Sequence, residues 1–170
     1  MKHEQHVGSH SEKKVSMELA WYITGFVDGE GCFSVSYTKR SKLATGIEVR
    51  PSFALGQNKR NLEVLKVIHA YFGCGAIRFS KADQMYKYEV RSIGDLRSRV
   101  IPHFKKFPLM TDKQTDFETF AFICDQVASS KHLNSQYLKQ IIDLSFTMNK
   151  SGKRKYTQLE LLKILNEMKV

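Results

Sequence analysis

The chain has 170 residues, 42% hydrophobic and 11% aromatic, which is enough to bury a core and too apolar for a disordered polymer. It has neither an apolar run long enough to span a bilayer nor an apolar signal core at its start, so an intracellular protein is expected, in an organelle or a bacterial cytoplasm, with no membrane partner. The net charge of +10 is concentrated: residues 31–110 hold 15 Lys and Arg against 5 acids, while the flanks balance at 12 of each, a distribution that suits a polyanion such as nucleic acid.

Residues 1–16 are polar, carry His3, His6 and His10, and read as a flexible arm ahead of a single domain over 17–170. Ser16 is a candidate N-cap, with Glu18 in the first turn of a helix running from Met17 to about Gly29. Within it lies WYITGFVDGEGCF, residues 21–33. Gly25 and Gly29, four apart, share one helix face and leave a bare groove where a second backbone can approach closely. Glu30 falls at the C-terminal end, where the helix dipole disfavours a carboxylate and a bound cation reverses the sign. Asp28 reads as structural, within reach of nearby backbone amides or of a partner helix.

Beyond Gly31 the period drops to two. Phe33, Val35 and Tyr37 alternate with Ser34, Ser36, Thr38 and Arg40, predicting a half-buried strand. A second strand follows, with Val49, Pro51, Phe53 and Leu55 on one side and Glu48, Arg50, Ser52 and Ala54 on the other. Pro51 suggests an edge position or a bulge. Leu62, Leu65, Ile68 and Phe72 predict a helix stopped by Gly73. A second hairpin places Ile77, Phe79, Tyr86, Tyr88 and Val90 inward, and Arg78, Ser80, Lys87, Glu89 and Arg91 outward. A helix from Ile93 to about Ile101 is expected to stop at Pro102. Cys32, Cys74 and Cys124 show no paired metal-ligand spacing and read as buried thiols. The order helix, two strands, helix, two strands, helix predicts an α+β domain, with helices on one face of an antiparallel sheet and a polar, cationic face left open. Two-stranded ribbons fit the major groove of DNA, and Arg and small hydroxyls are suited to base edges there. Further helices are expected near 135–148 and 157–168, joined by the basic linker Lys150–Lys155.

Ile23, Thr24, Gly25, Phe26, Val27, Asp28, Gly29, Glu30 and Gly31 resemble the nine-letter signature of the LAGLIDADG homing endonuclease family, with Thr24 in place of the usual alanine and Glu30 in place of the final aspartate. The segment Phe107–Pro108–Leu109 through Thr111 and Lys113 resembles the family's turn before a helix, and Gln57 falls on a polar position near its active site. The likeness covers about residues 17–128. It implies an αββαββα core with a saddle-shaped sheet that binds double-stranded DNA through Ser34, Ser36, Thr38, Arg40, Arg50, Ser52, Arg78, Ser80, Lys87 and Arg91. It implies metal-dependent cleavage of a long pseudo-palindromic duplex in intron homing. Glu30 would hold Mg²⁺, two or three ions being shared across a dimer; Lys113 would steady charge near the phosphate and Gln57 would position water.

The chain has no glycine between Gly94 and Gly152 and so no second copy of the motif. A homodimer joined through Thr24, Gly25, Asp28 and Gly29 is therefore the implied assembly. The same resemblance leaves two alternatives open, an RNA maturase that binds intron RNA and a DNA-binding regulator that does not cleave.

Overall fold

The computed structural model describes residues 7–149 and 152–168. Helix α1 (Val7–Glu30) runs directly into β1 (Gly31–Lys39), which is followed by β2 (Ile47–Asn58), α2 (Leu62–Phe72), β3 (Ala76–Ser80) and β4 (Met85–Val90). A continuous helical stretch then comprises α3 (Ile93–Asp95), a π-helical turn (Leu96–Val100) and α4 (Ile101–Lys106), and α5 (Lys113–Ala128), α6 (Ser135–Ser145) and α7 (Gln158–Glu167) complete the chain. The sheet is antiparallel, in the order β1-β2-β4-β3. This is the expected α+β architecture.

The alternation read from the sequence is found in most of the sheet; Phe79, read as inward, is 40% exposed on the outermost strand β3, and Ala54, read as outward, is buried. Phe33, Val35 and Tyr37 of β1, Val49, Phe53 and Leu55 of β2, and Tyr88 and Val90 of β4 are buried on one face. Phe33 is the centre of this core: its ring lies within 5.2 to 5.3 Å of Phe53 on the sheet, Phe104 on α4, and Phe117 and Phe120 on α5. Burying each such side chain contributes about 1.5 to 3 kcal/mol, so this cluster fixes the helical layer to the sheet. Helix α2 ends as predicted, on Gly73 in the left-handed conformation at φ 61°, where a side chain would be strained.

Four expectations change. Helix α1 begins at Val7, with no proline to break it, so Ser16 lies inside the helix and does not cap it, and residues 7–16 are helical. Residues 1–6, with His3 and His6, lie outside the described residues. Pro102 does not stop its helix but sits in the first turn of α4, because the preceding π-helical turn removes the need for the backbone donor that proline lacks. Strand β2 is interior, yet β4 pairs with it only over residues 53–58, so Pro51 lies in the stretch bonded to β1 alone. Of the thiols, Cys124 is buried, Cys74 half-buried and Cys32 exposed.

The C-terminal helices pack against the edge strand β1. Asn149 donates through Nδ2 to the Phe33 carbonyl at 2.6 Å, and the Tyr37 hydroxyl meets Ser145 Oγ at 2.6 Å. Thr157 and Glu160 form a reciprocal capping box that starts α7.

Candidate functional site

The α1–β1 junction is held from behind by a turn that is remote in sequence. Asp28 accepts a hydrogen bond from the Met110 amide at 2.9 Å and another from the Thr111 hydroxyl. Burial alone would raise the Asp28 pKa, but these bonds and the nearby Lys113 charge outweigh it and hold the carboxyl below its ordinary value. Asp28 thus serves its own chain, the first of the two structural roles expected of it. Thr24 is corrected: only 3% exposed, it lies among Ala20, Ile23 and Val27 on the inward stripe of α1. Its hydroxyl bonds the Phe107 carbonyl and His103 Nε2, each at 3.1 Å, so it is not available to a dimer interface.

Lys113 opens α5 and donates from Nζ to the Val27 carbonyl at 2.9 Å, satisfying one of the free carbonyls that end α1. Burial lowers its pKa, opposed by Asp28, Cys32, Glu30 and Asp116, which together place the ammonium in the electrostatic neighbourhood of Glu30. Glu30 itself is exposed at the last position of α1 and enters no ion pair among the described residues. The next residue must be glycine for a steric reason, since a Cβ on Gly31 would lie 2.5 Å from Val27 Cγ1. The helix therefore passes into the strand without an intervening loop, and Glu30 stands at one end of the sheet. An exposed, unpaired carboxylate is a hard oxygen donor and fits a divalent cation, but no group of three or more His, Cys, Asp or Glu is arranged so that it could hold a metal ion among the described residues.

Gln57 lies towards the same end, since Gly31 pairs with Leu55 two positions before it. Its Oε1 accepts from Asn61 Nδ2 at 3.0 Å, and it is not hydrogen-bonded to Glu30 or Lys113.

Gly25 and Gly29 are exposed, with nothing within 4 Å of a Cβ built on either. Trp21 and Tyr22, 50% and 54% exposed, extend the same side of α1 towards its N-terminus. Trp21 meets the Phe107 ring edge-on at 5.2 Å and Tyr22 stacks on Phe26 of the same helix, but the glycine groove itself is uncovered within its own chain.

The open sheet face carries Arg50, Arg78 and Lys87 exposed, and in register Lys87 lies between Gly56 and Arg78. Other expected contacts are already engaged. Arg40 is paired with Glu48 at 3.0 Å, and Glu89 holds Lys87 at 3.0 Å and Arg91 at 2.9 Å. The Ser34 and Ser52 hydroxyls bond each other at 3.0 Å, leaving Ser52 buried, and the Ser36 hydroxyl donates to the Arg50 carbonyl. Thr38 is half-buried, and Ser80 bonds the Asp83 carboxylate. Not all the central charge faces this way, because Arg97, Arg99, Lys105 and Lys106 lie on the helical side, with Arg97 paired to Asp125. The residues that sequence reasoning missed are Asn149, Lys153, Arg154 and Lys155, which stand beside Cys32, Ser34 and Ser36 on β1. Their only signal was the basic run before α7.

Comparison with known proteins agrees with this geometry. The family model described as LAGLIDADG endonuclease matches residues 23–124. A protein of Podospora anserina named "Uncharacterized 50.9 kDa protein in ND4 intron 1" is 35% identical over 115 residues, 66% of this chain, and the chain spans only 25% of its length. Among solved structures, the archaeal intron-encoded homing endonuclease I-Vdi141I complexed with DNA superposes at TM-score 0.83 and 28% identity, over 90% of this chain and 98% of that one. I-SmaMI, bound to an uncleaved DNA target in the presence of calcium ions, superposes at TM-score 0.78 and 30% identity, over 87% of this chain but 49% of that one.

Proposed function

Because the chain belongs to the LAGLIDADG endonuclease family, we propose that it is a site-specific, metal-dependent DNA endonuclease that acts as a homodimer on a pseudo-palindromic duplex. The observation that carries this reading is the placement of Glu30, a free carboxylate at the junction between an unpartnered glycine-grooved helix and the end of a cationic sheet. Pairing two α1 helices through Gly25 and Gly29 would bring two such junctions together across a two-fold axis. The neighbour that this chain half covers is long enough to hold two such units, which supports the pairing.

In this reading the sheet positions the duplex, with Arg50 and Arg78 free to reach guanine edges, while Lys87 would have to exchange its Glu89 partner for a phosphate. Glu30 from each protomer would hold Mg²⁺ or a similar hard cation, about two or three ions between them, which when bound polarises the scissile phosphate and yields an activated water. Lys113 is pinned by the Val27 carbonyl, so its charge is fixed beside Glu30 and offsets developing negative charge at the phosphate. Gln57 has its carbonyl taken by Asn61, which leaves its amide hydrogens to orient a water.

The test begins by selecting cleaved sites from a randomised duplex library with Mg²⁺. On a selected site, Glu30→Gln keeps shape and removes the anion, so duplex affinity should be nearly unchanged while cleavage is lost. Double-strand cleavage by the Glu30→Gln homodimer at wild-type rate would sink the assignment.

A further inference from the structure

Three charged side chains alternate along the open face of β4 and the residue after it. Lys87, Glu89 and Arg91 point away from the core because Tyr88 and Val90, between them, are buried in it. Glu89 bridges its two neighbours with separate oxygens: Oε1 is 3.0 Å from Lys87 Nζ, and Oε2 is 2.9 Å from Arg91 Nε. Its side chain is only 10% exposed, whereas both cations are half exposed. In register it stands between Ala54 of β2 and Ala76 of β3, so no side chain directly across from it competes for the carboxylate. Burial alone would raise its pKa, but the two cations outweigh that and hold the carboxyl below its ordinary value. The stripe therefore carries two cations and a net charge of one. Neither cation is exhausted as a donor: Lys87 has two further N–H groups and Arg91 keeps both terminal amino groups of its guanidinium, so the closed triad can still donate to a base edge.

A duplex presents its base edges and its phosphates at different places. Strands spaced about 4.8 Å apart make a four-stranded sheet roughly 14 Å across, slightly wider than the about 12 Å of the B-DNA major groove. With the sheet against that groove, the outermost strands β1 and β3 meet its phosphate walls and the interior strand β4 faces the base edges on its floor. A duplex of the wrong sequence offers no matching edges there and is held through phosphates alone. For Lys87 and Arg91 to join that hold, both must leave Glu89, and a carboxylate stripped of its partners is then left against a polyanion. Resting on the duplex-binding reading above, we propose that Glu89 is a specificity-determining residue, a built-in counterion that keeps Lys87 and Arg91 aimed at base edges and withholds their charge from the phosphates of non-target DNA. Its part is to weaken the wrong complexes, not to tighten the right one.

The test compares Glu89→Gln, which keeps the size of the side chain and removes its charge, with Asp125→Asn, which removes equal charge and breaks the 2.8 Å ion pair to Arg97 on the helical side. Binding to a selected target duplex and to a scrambled duplex is measured across a salt series without divalent metal. With Glu89→Gln the slope of log K against log salt on the scrambled duplex should steepen by about 0.9 to 1.8, near 0.9 for each freed cation that reaches a phosphate, and affinity for that duplex should rise at least about tenfold at low salt. Affinity for the target duplex should change by less than about threefold, so discrimination falls. The control should change neither. Lys87→Ala/Glu89→Gln/Arg91→Ala takes the freed cations away and should bring the scrambled-duplex slope back to within about 0.9 of wild type. Should Glu89→Gln melt early, this triple variant decides alone: a slope within that range supports the closed triad, and a drop of about 1.8 places both cations on phosphates in the wild-type chain and overturns it. An unchanged scrambled-duplex slope in Glu89→Gln, an equal gain on both duplexes, or an equal gain in the control overturns the proposal while leaving the endonuclease reading intact. Failure of the unmodified protein to bind any duplex overturns that reading, and this proposal with it.

Discussion

His103 shows how a single buried side chain ties the motif helix to the rest of the core. The Thr24 hydroxyl donates to the Phe107 carbonyl and so accepts from His103 Nε2, which leaves Nδ1 to accept from the Tyr71 hydroxyl at 2.9 Å. Both ring nitrogens are satisfied in the neutral form, and burial pulls the pKa down to about 4. The unfolded chain takes up this proton near pH 6.5, so its contribution to stability is complete above about 6.5 and is lost as pH falls towards 4. The full effect is on the order of 3 kcal/mol. Thermal midpoints measured between these limits should fall on acidification. His132, also pulled down by burial, adds to the same slope, and the flatter profile expected of His103→Gln isolates the contribution of His103.

At the scale of elements, α1 carries two kinds of glycine. No atom lies within 4 Å of a Cβ at Gly25, whereas at Gly31 a Cβ would meet Val27 at 2.5 Å. Gly25→Ala should therefore raise the stability of the isolated protomer by up to about 1 kcal/mol, the usual difference in helix propensity. Gly25→Leu should fold equally well but sediment as a monomer and lose cleavage, because the bulk falls in the helix contact. A Gly25→Leu protein that sediments as a dimer on DNA would discount the pairing. Gly31→Ala should destabilise the fold itself. Elements of this kind were legible because their signals are local: the alternation of Phe33, Val35 and Tyr37, the helical spacing ending in Gly73, and the nine-residue motif all lie within a few turns of chain. The start of α1 and the passage through Pro102 were not legible, since a polar helix turn and a π-helical turn have no distinct local pattern.

The whole molecule depends on contacts that no local pattern announces. Asp28 and Thr111 are 83 positions apart, and Asn149 and Phe33 are 116 apart. For that reason the backing of Glu30 and the covering of β1 by the C-terminal segment could not be read from the chain, although their residue types were in view. The second of these contacts bears on solubility. Strand β1 is nine residues long and outermost in its sheet, so its free backbone groups are a template on which another chain can add a strand. The Asn149 clasp and the C-terminal helices occupy that side. Asn149→Ala leaves the Phe33 carbonyl unpaired, a loss of about 1 kcal/mol, and light scattering during slow heating should show its aggregates at a lower temperature than those of the wild-type chain. The tail that has the weakest resemblance to the family signature thus also covers the outer edge of the signature-bearing sheet.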